Sequence, residues 1–517
     1  MAASTFLFHP LMNEVVPYNA VYDFPSQATR STKRTIKITP KNAASSYVSG
    51  STIRFEFPAS GYLNPTTTYL SFNARAQIVS GSFTAGTSND RGGFAFQQNI
   101  ASIFRRVRVL YGSLVLEDIQ DYNILQRMFT EVLLPSGFAQ GKVGMYQGIG
   151  NLSNTGQAQQ TTIASPAISM WQNDRLNYHS IEAEDNTNVT DVGRTVRRYA
   201  IAMNTGVFQQ KRLLPLKFMS SQLQIEFEIA PAVDCQIWYL GVGGSPTIPT
   251  DCRVEVGLPE IVAELLEFDS EFDRAVFEGL GRGLAIPFQS WHMNSFNISP
   301  GIYQQVNIQE SSRSVRYALA GLTDDNQRTL TRDAHLFFGG FSYDVSEKET
   351  TNAATMNYLF GSAWVNNTSP IESFQWRLGG VYYPSQPVPC YGGSGNIGNS
   401  GSIDANYADP PVEAYQELQK VFDNQFGKRY PTSDMCTLHF GGRRGQNDSE
   451  SGGFVMACDF MTDRGDVVGG INAEEQNDMM LMLKFNGTAG SSKVLRVAVC
   501  YDNIMILGES NNMVLVN

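Results

Sequence analysis

The stretch "SIFRRVRVLYGSLVLEDIQDYNILQRMFTE", Ser102 to Glu131, decides how the chain is read. Three arginines, Arg105, Arg106 and Arg108, fall within four residues. Val107, Val109 and Tyr111 share one face of a strand, and Arg106, Arg108 and Leu110 share the other. "YGS" then makes a tight turn and a short apolar strand follows. In "LEDIQDYNILQRMFTEV" the residues Ile119, Tyr122, Leu125, Met128 and Phe129 recur at helical spacing. The unit reads as strand, turn, strand and amphipathic helix. No aromatic residues interleave with the arginines as a base-stacking platform requires. The arginines therefore read as an ion-pair network, within the chain or between subunits, rather than as a DNA grip.

The same period of two runs through the chain. Ile53, Phe55 and Phe57 alternate with Thr52, Arg54 and Glu56; Leu70, Phe72, Ala74, Ala76 and Ile78 share a face; Leu223, Ile225, Phe227 and Ile229 alternate with Gln222, Gln224, Glu226 and Glu228. These are half-buried antiparallel strands. "CRVEVGLPEIVAELLEF" starts as another and is bent at Pro259. "AHLFFGGFSYDV", "IESFQWRLGGVYY", "GGFVMACDFM", "NDMMLMLKF" and "KVLRVAVCYDNIMIL" repeat the style later. In "MMLMLKF", Met479, Leu481, Leu483 and Phe485 line one face and Met480 and Met482 the other, so that strand is expected to be covered on both sides. A second helix is expected in "DPPVEAYQELQKVFDNQFG", with Asp409 as N-cap, Pro410 in the first turn, Tyr415, Leu418, Val421 and Phe422 as its stripe and Gly427 as its stop. Each half ends in two strong strands. That weak duplication gives two β domains, the first closing near residue 268: an arm over 1–34, then 35–268 and 269–517. "EFDSEFDRAVFEGLGRG" is the join, and a new strand begins at "LAIPFQSWHM".

Of the 517 residues, 42% are hydrophobic and 17% charged. That is enough to bury a large core under a surface with few charges, as on proteins covered by partners. The net charge of −11 argues against nucleic acid as the main partner, because phosphate binding needs Lys and Arg. The six cysteines (Cys235, Cys252, Cys390, Cys436, Cys458, Cys500) form no C-x-x-C pair and read as reduced, mostly buried thiols. No run reaches the ~18 apolar residues of a membrane helix, and the start has no signal-peptide core. A soluble protein of a reducing compartment is expected.

Motifs for chemistry are few. "GSGNIG" (Gly393, Gly395, Gly398) is not flanked by a strand and a helix, so it reads as a loop tip, not a dinucleotide site. The five histidines, His9, His179, His292, His335 and His439, are dispersed. Carboxylates cluster at Glu117/Asp118/Asp121, Glu182/Glu184/Asp185 and Glu267/Asp269/Glu271/Asp273, without EF-hand spacing, and read as solvated or ion-paired. Lys33/Arg34 and Arg443/Arg444 are the other basic patches. No catalytic residue, cofactor or metal site is expected.

The opening stretch resembles the strand–turn–helix signature of major capsid proteins of virophages and polinton-like viruses. "PEIVAELLEFDSEFDRAVFEGLGRGLAIPFQSWHM" resembles the segment that joins their two jelly rolls, and "GSTIRFEFPASGYLNPTTTYLSFNARA" their first strands. The resemblance covers about two-thirds of the chain and is weakest in 135–200 and 385–450. It implies an all-β double jelly roll: two eight-stranded antiparallel sandwiches, with a few short helices in loops. It also implies homotrimers of pseudo-hexagonal outline that tile an icosahedral DNA-virus shell, assembled inside the host cell, with a penton protein at the vertices and minor capsid proteins as further partners. Sequence-specific nucleic-acid binding and a transmembrane segment are not part of it. Expected inter-subunit contacts are Phe6, Phe8 and Leu11 of the apolar arm and Arg105, Arg106 and Arg108. The Gly-rich loops 79–94 and 391–408 are expected to face outward. Rival readings are a glycan-binding or carbohydrate-active β-protein using a carboxylate cluster, and a vertex or fibre component of a virion.

Overall fold

The structure is a computed structural model that describes residues 31–80, 92–96, 100–133, 181–183, 197–231, 236–239, 251–281, 283–299, 301–324, 371–390, 412–426, 443–444, 449–450, 455–462, 469–474, 478–485, 493–508 and 513–516. Alternation of apolar and polar residues gives β1 (Ser31–Ile38), β2 (Thr52–Glu56), β3 (Tyr62–Ser80), β4 (Phe104–Tyr111) and β5 (Leu114–Ile119). After α1 (Tyr122–Leu133) come β6 (Arg197–Ala202), β7 (Leu223–Ile229) and β8 (Asp251–Phe268). Helix α2 (Ser270–Leu280) leads to β9 (Leu284–Ile298), β10 (Tyr303–Ile308), β11 (Val315–Asp324), β12 (Ile371–Leu378) and β13 (Val381–Pro389). Helix α3 (Val412–Phe426), β14 (Met456–Asp459), β15 (Met479–Phe485) and β16 (Lys493–Leu507) follow, and two short strands, Tyr47–Val48 on β8 and Met513–Val516 on β16, extend the two larger sheets.

These strands form four antiparallel sheets in two pairs. The first pair has the orders β1-β8-β3-β6 and β2-β7-β4-β5; the second has β9-β16-β11-β14 and β10-β15-β12-β13. Adding eight to each strand number converts the first pair into the second. Both hairpin-plus-helix units recur as well: β4–β5 turns at Gly112-Ser113 and precedes α1, while β12–β13 turns at Gly379-Gly380 and precedes α3. Gly112, Gly379 and Gly380 have positive φ, which the tight turns require. The weak duplication in the sequence is thus a strand-by-strand repeat of an eight-stranded sandwich.

Within each sandwich the inward residues of its two sheets meet, and the buried apolar residues of the two run together into one cluster. In the first, Phe72 of β3 meets Phe104 of β4 edge-on at 5.5 Å, and Phe104 lies 5.1 Å from Phe227. In the second, buried Trp376 meets Phe460 at 6.4 Å. Met479, Leu481, Leu483 and Phe485 are buried, and Met480 and Met482 on the reverse face are half-buried. Cys390, Cys458 and Cys500 are free and buried, and burial pushes their thiols up. Smaller pieces decorate the sandwiches: a three-stranded sheet of Gln236–Tyr239, Gly92–Phe96 and Ile181–Ala183, and a two-residue ladder of Arg443–Arg444 with Ser449–Glu450.

Several expectations need correction. Ile119 ends strand β5, and α1 starts only at Tyr122, so the sequence reading begins that helix too early. Residues 31–34, counted with the arm, lie in β1 and pair with Leu265–Phe268. The join is not a plain connector but helix α2, capped by the Asp269 side chain, which accepts from Phe272 N at 3.0 Å. The bend at Pro259 is a bulge: the β8–β3 register slips between Gly257 and Glu260, and Leu258 has φ 45°. Residues 334–345, the arm 1–30, "GSGNIG", Asp409, Pro410 and Gly427 lie outside the described residues, as do 81–91 and 391–408 of the two Gly-rich loops.

Candidate functional site: the joint between the sandwiches and their outer faces

The arginines of the opening stretch resolve by register. Across the four strands of β2-β7-β4-β5, Arg54 faces Glu226, Glu226 faces Arg108, and Arg108 faces Asp118. The row alternates in charge. Glu226 lies on the outer face yet its side chain is only 2% exposed, clamped at 2.5 Å by Arg54 on one side and Arg108 on the other. Arg106 forks onto Asp118, with Nε 2.7 Å from Oδ1. Arg106 and Arg108 therefore form ion pairs inside the chain, while Arg105 is exposed. Lys33, Arg34 and Lys37 of β1 pair with Glu264, Glu267 and Glu260 of β8.

The cluster Glu117/Asp118/Asp121 is not one site. Its three carboxylates go to three partners, and two of them build the contact between the sandwiches. Glu117 is buried and accepts from Gly206 N and Val207 N, each at 2.8 Å, at the start of the short helical turn Gly206–Gln209. Burial raises its pKa to about 7, against the opposing pull of those two amides and of the Ser290 and Thr205 hydroxyls. Ser290 belongs to β9 of the second sandwich, so this carboxylate lies at the seam. Asp121, which takes a positive φ of 50° just before α1, is 3.2 Å from Arg496 of β16 and accepts from Ser295 of β9. Phe129 of α1 meets Trp291 of β9 edge-on at 4.9 Å, and Arg212 donates to the Ala285 carbonyl at 2.8 Å.

Gly206 sets how closely the sandwiches approach. A Cβ there would stand 1.6 Å from the Gln289 carbonyl oxygen of β9. Only glycine lets the two backbones meet. Helix α2 ties the join to the first sandwich by another carboxylate: Asp273 accepts from Tyr62 at 2.9 Å and pairs with Lys217. Burial alone would raise the Asp273 carboxyl, but the bonds from Lys217 and Tyr62 outweigh it and its pKa is lowered.

Two buried acids support the second sandwich. Asp502 receives Ser314 Oγ at 2.6 Å and Arg316 Nε at 2.5 Å. Glu310 receives Ser312 N at 3.0 Å and faces His292 Nδ1 at 3.0 Å; burial would raise its pKa, but His292 and Ser312 hold it below the usual range. The other four histidines lie outside the described residues. Among the described residues, no group of three or more His, Cys, Asp or Glu is placed to hold a metal ion, and no helix is long and apolar enough to cross a membrane.

The expected contact residues divide accordingly. Arg105, Arg106 and Arg108 share β4, whereas Phe6, Phe8 and Leu11 lie outside the described residues. Sequence reading missed Gly206, Ser290 and Arg496. The joint depends on pairs far apart in the chain, and "NTGVFQQ" carries no local mark of it.

No protein-family model matches the chain, and no curated protein matches its sequence. Solved structures do. A chain of the Sputnik virophage is 10% identical, with 97% of this chain and 91% of that chain covered at a TM-score of 0.54. The Faustovirus major capsid protein is 8% identical, with 96% and 94% covered at 0.53. A chain of the PBCV-1 virus capsid is 10% identical, with 96% and 99% covered at 0.51. Identity this low speaks to architecture alone, and nearly full coverage of both partners means that both sandwiches match together. The fold of this chain is the double jelly roll, shared with viral major capsid proteins.

Proposed function

We propose that the chain is a major capsid protein, with three copies forming a capsomer of pseudo-hexagonal outline that tiles an icosahedral shell. One observation carries the reading. The eight-stranded sandwich is repeated in identical strand order, and the matches to virion capsid chains run through both repeats. Domains 31–268 and 269–517 are the two upright bricks of the tile. The task is mechanical: closed sandwiches give stiffness, and many modest lateral contacts add up over a lattice. The reading places the protein in the virion of a virophage-like or polinton-like DNA virus, assembled in the host cell, and gives it no catalytic role.

A penton protein at the vertices and minor capsid proteins are the further partners. Arg105, exposed at the start of β4, is assigned to a neighbouring copy; Arg106 and Arg108 stiffen the face beside it. Phe6, Phe8 and Leu11 are assigned to docking on a neighbouring copy or a minor capsid protein. Deleting residues 1–20 should leave trimers intact and impair shells; normal shells from the truncated protein would remove that role for the arm. The primary test is light scattering coupled to size exclusion. A mass of three times 57.1 kDa is expected, and a stable monomer at micromolar concentration would refute the reading.

A further inference from the structure

Glu117 touches both sandwiches at the point where their backbones come closest. Gly206 N and Val207 N donate to its two oxygens, and the hydroxyls of Thr205 and, from β9, Ser290 stand beside them. None of these partners carries a charge. Gly206, whose amide the carboxylate holds, is also the residue whose backbone abuts the Gln289 carbonyl of β9. Ser290 is shared: its Cα partner on β16 is Tyr501, whose phenol bonds to the same hydroxyl and to Asn503. A buried carboxylate thus sits in a seam between two bodies with no cation bound to it, an arrangement that penalises its charge as long as the seam excludes water.

The groups around it do not supply the missing charge. Tyr122 of α1 and Tyr501 and Cys500 of β16 feel the Glu117 charge, and burial pushes all three above their ordinary values, so they stay neutral through neutral pH. Val109, its Cα partner on β4, is apolar. Asp118 lies on the outer face with Arg106. Arg496 pairs with Asp121, and Ser295 and Arg496 lie on the reverse face of the β9–β16 ladder from Ser290 and Tyr501. Beyond Tyr501, whose ring stacks on His292 at 4.2 Å, the imidazole faces buried Glu310.

We propose that the joint is proton-gated: protonated Glu117 keeps the sandwiches together, and its ionisation favours a state in which β9 parts from the Gly206 turn and water enters. The sign follows from where the acid prefers its proton. In the closed seam burial outweighs the amides and hydroxyls and holds Glu117 at about 7; opened to water it returns toward its ordinary 4.5. Opening therefore releases a proton and becomes more frequent as pH rises through that window, on the order of 70-fold from pH 5 to pH 8. The gate lies within one chain and acts whether or not copies assemble.

The test is amide hydrogen exchange of the full chain at pH 5, 6, 7 and 8, each corrected for the chemical exchange rate at that pH. Peptides covering Gly206–Gln209 and the first half of β9 should lose protection on the order of 70-fold across the range, while the core strands β12 and β15 change far less. Glu117→Gln should flatten the slope at the joint, and His292→Gln should leave it as in wild type. The comparison of joint with core needs only the wild-type chain, so it stands even where a variant folds poorly. Joint protection that is flat with pH, or that falls in step with β12 and β15, would overturn the gate. So would a slope that survives Glu117→Gln or vanishes with His292→Gln.

Discussion

Replacing Gly206 with alanine tests the joint most sharply. The new Cβ would fall 1.6 Å from the Gln289 oxygen, and 2.6 Å from the carbon that carries it. Both are backbone atoms, so no side chain can swing away. An ordinary contact begins near 3.4 Å, so β9 must retreat by about 1.8 Å, the difference between the two. The Asp121–Arg496 pair spans the same seam at 3.2 Å, and that retreat takes it past ion-pairing distance while Arg496, 8% exposed, stays shielded from water. Overpacking and the weakened buried pair together should cost about 3 kcal/mol or more. For a unit of this size that is roughly 6–12 °C in Tm. The control is Gly279→Ala in α2, where a Cβ meets nothing within 4 Å. There, alanine should be neutral or stabilise by up to ~1 kcal/mol. Scanning calorimetry of both variants at fixed pH and concentration decides the matter. A Gly206→Ala protein melting with wild type would refute the backbone contact and the closeness of the sandwiches.

Three further outcomes follow from named groups. Glu117 has a folded-state pKa of about 7, above its unfolded value, so its contribution is fully present below pH ~4.5 and is lost as pH rises through 7, by about 3 kcal/mol. Urea unfolding at pH 4 to 8 should show wild type losing that stability relative to Glu117→Gln, and parallel profiles would contradict the burial of this carboxylate. Arg316→Leu leaves Asp502 buried without its cation and should lower stability by about 3–5 kcal/mol; a loss under about 1 kcal/mol in the same assay would sink the pairing. Arg108→Ala strips one clamp from Glu226 and should cost about 1–3 kcal/mol, while exposed Arg105→Ala should stay within about 0.5 kcal/mol. Equal effects from the two would contradict the charge row.

Period-two strands were legible because a strand with one buried face must alternate; Ile53, Phe55 and the Leu223–Ile229 run are all buried where alternation puts them. The repeat was legible only in outline, since its two copies share strand order rather than residues. Helix α2 escaped notice although its apolar residues fall on one stripe as clearly as those of α3, because the segment reads first as a linker between two strand-rich halves. Its marks were Asp269 as cap and Glu271 and Asp273 in the first turn, which read as a mere acidic cluster. The fates of Glu117, Asp118 and Asp121 were hidden for a different reason. Their partners Gly206, Arg106 and Arg496 come from three separate parts of the chain, and register across a sheet is a tertiary fact. Arg106 and Arg108 came closest to legibility, because their alternation already set them on one face.

Electron-microscope images of the purified chain test the central claim most directly. Particles with six barrel-sized lobes around a threefold axis are expected, two lobes from each polypeptide. A population of isolated chains, or rings whose subunits contribute a single lobe, would contradict it.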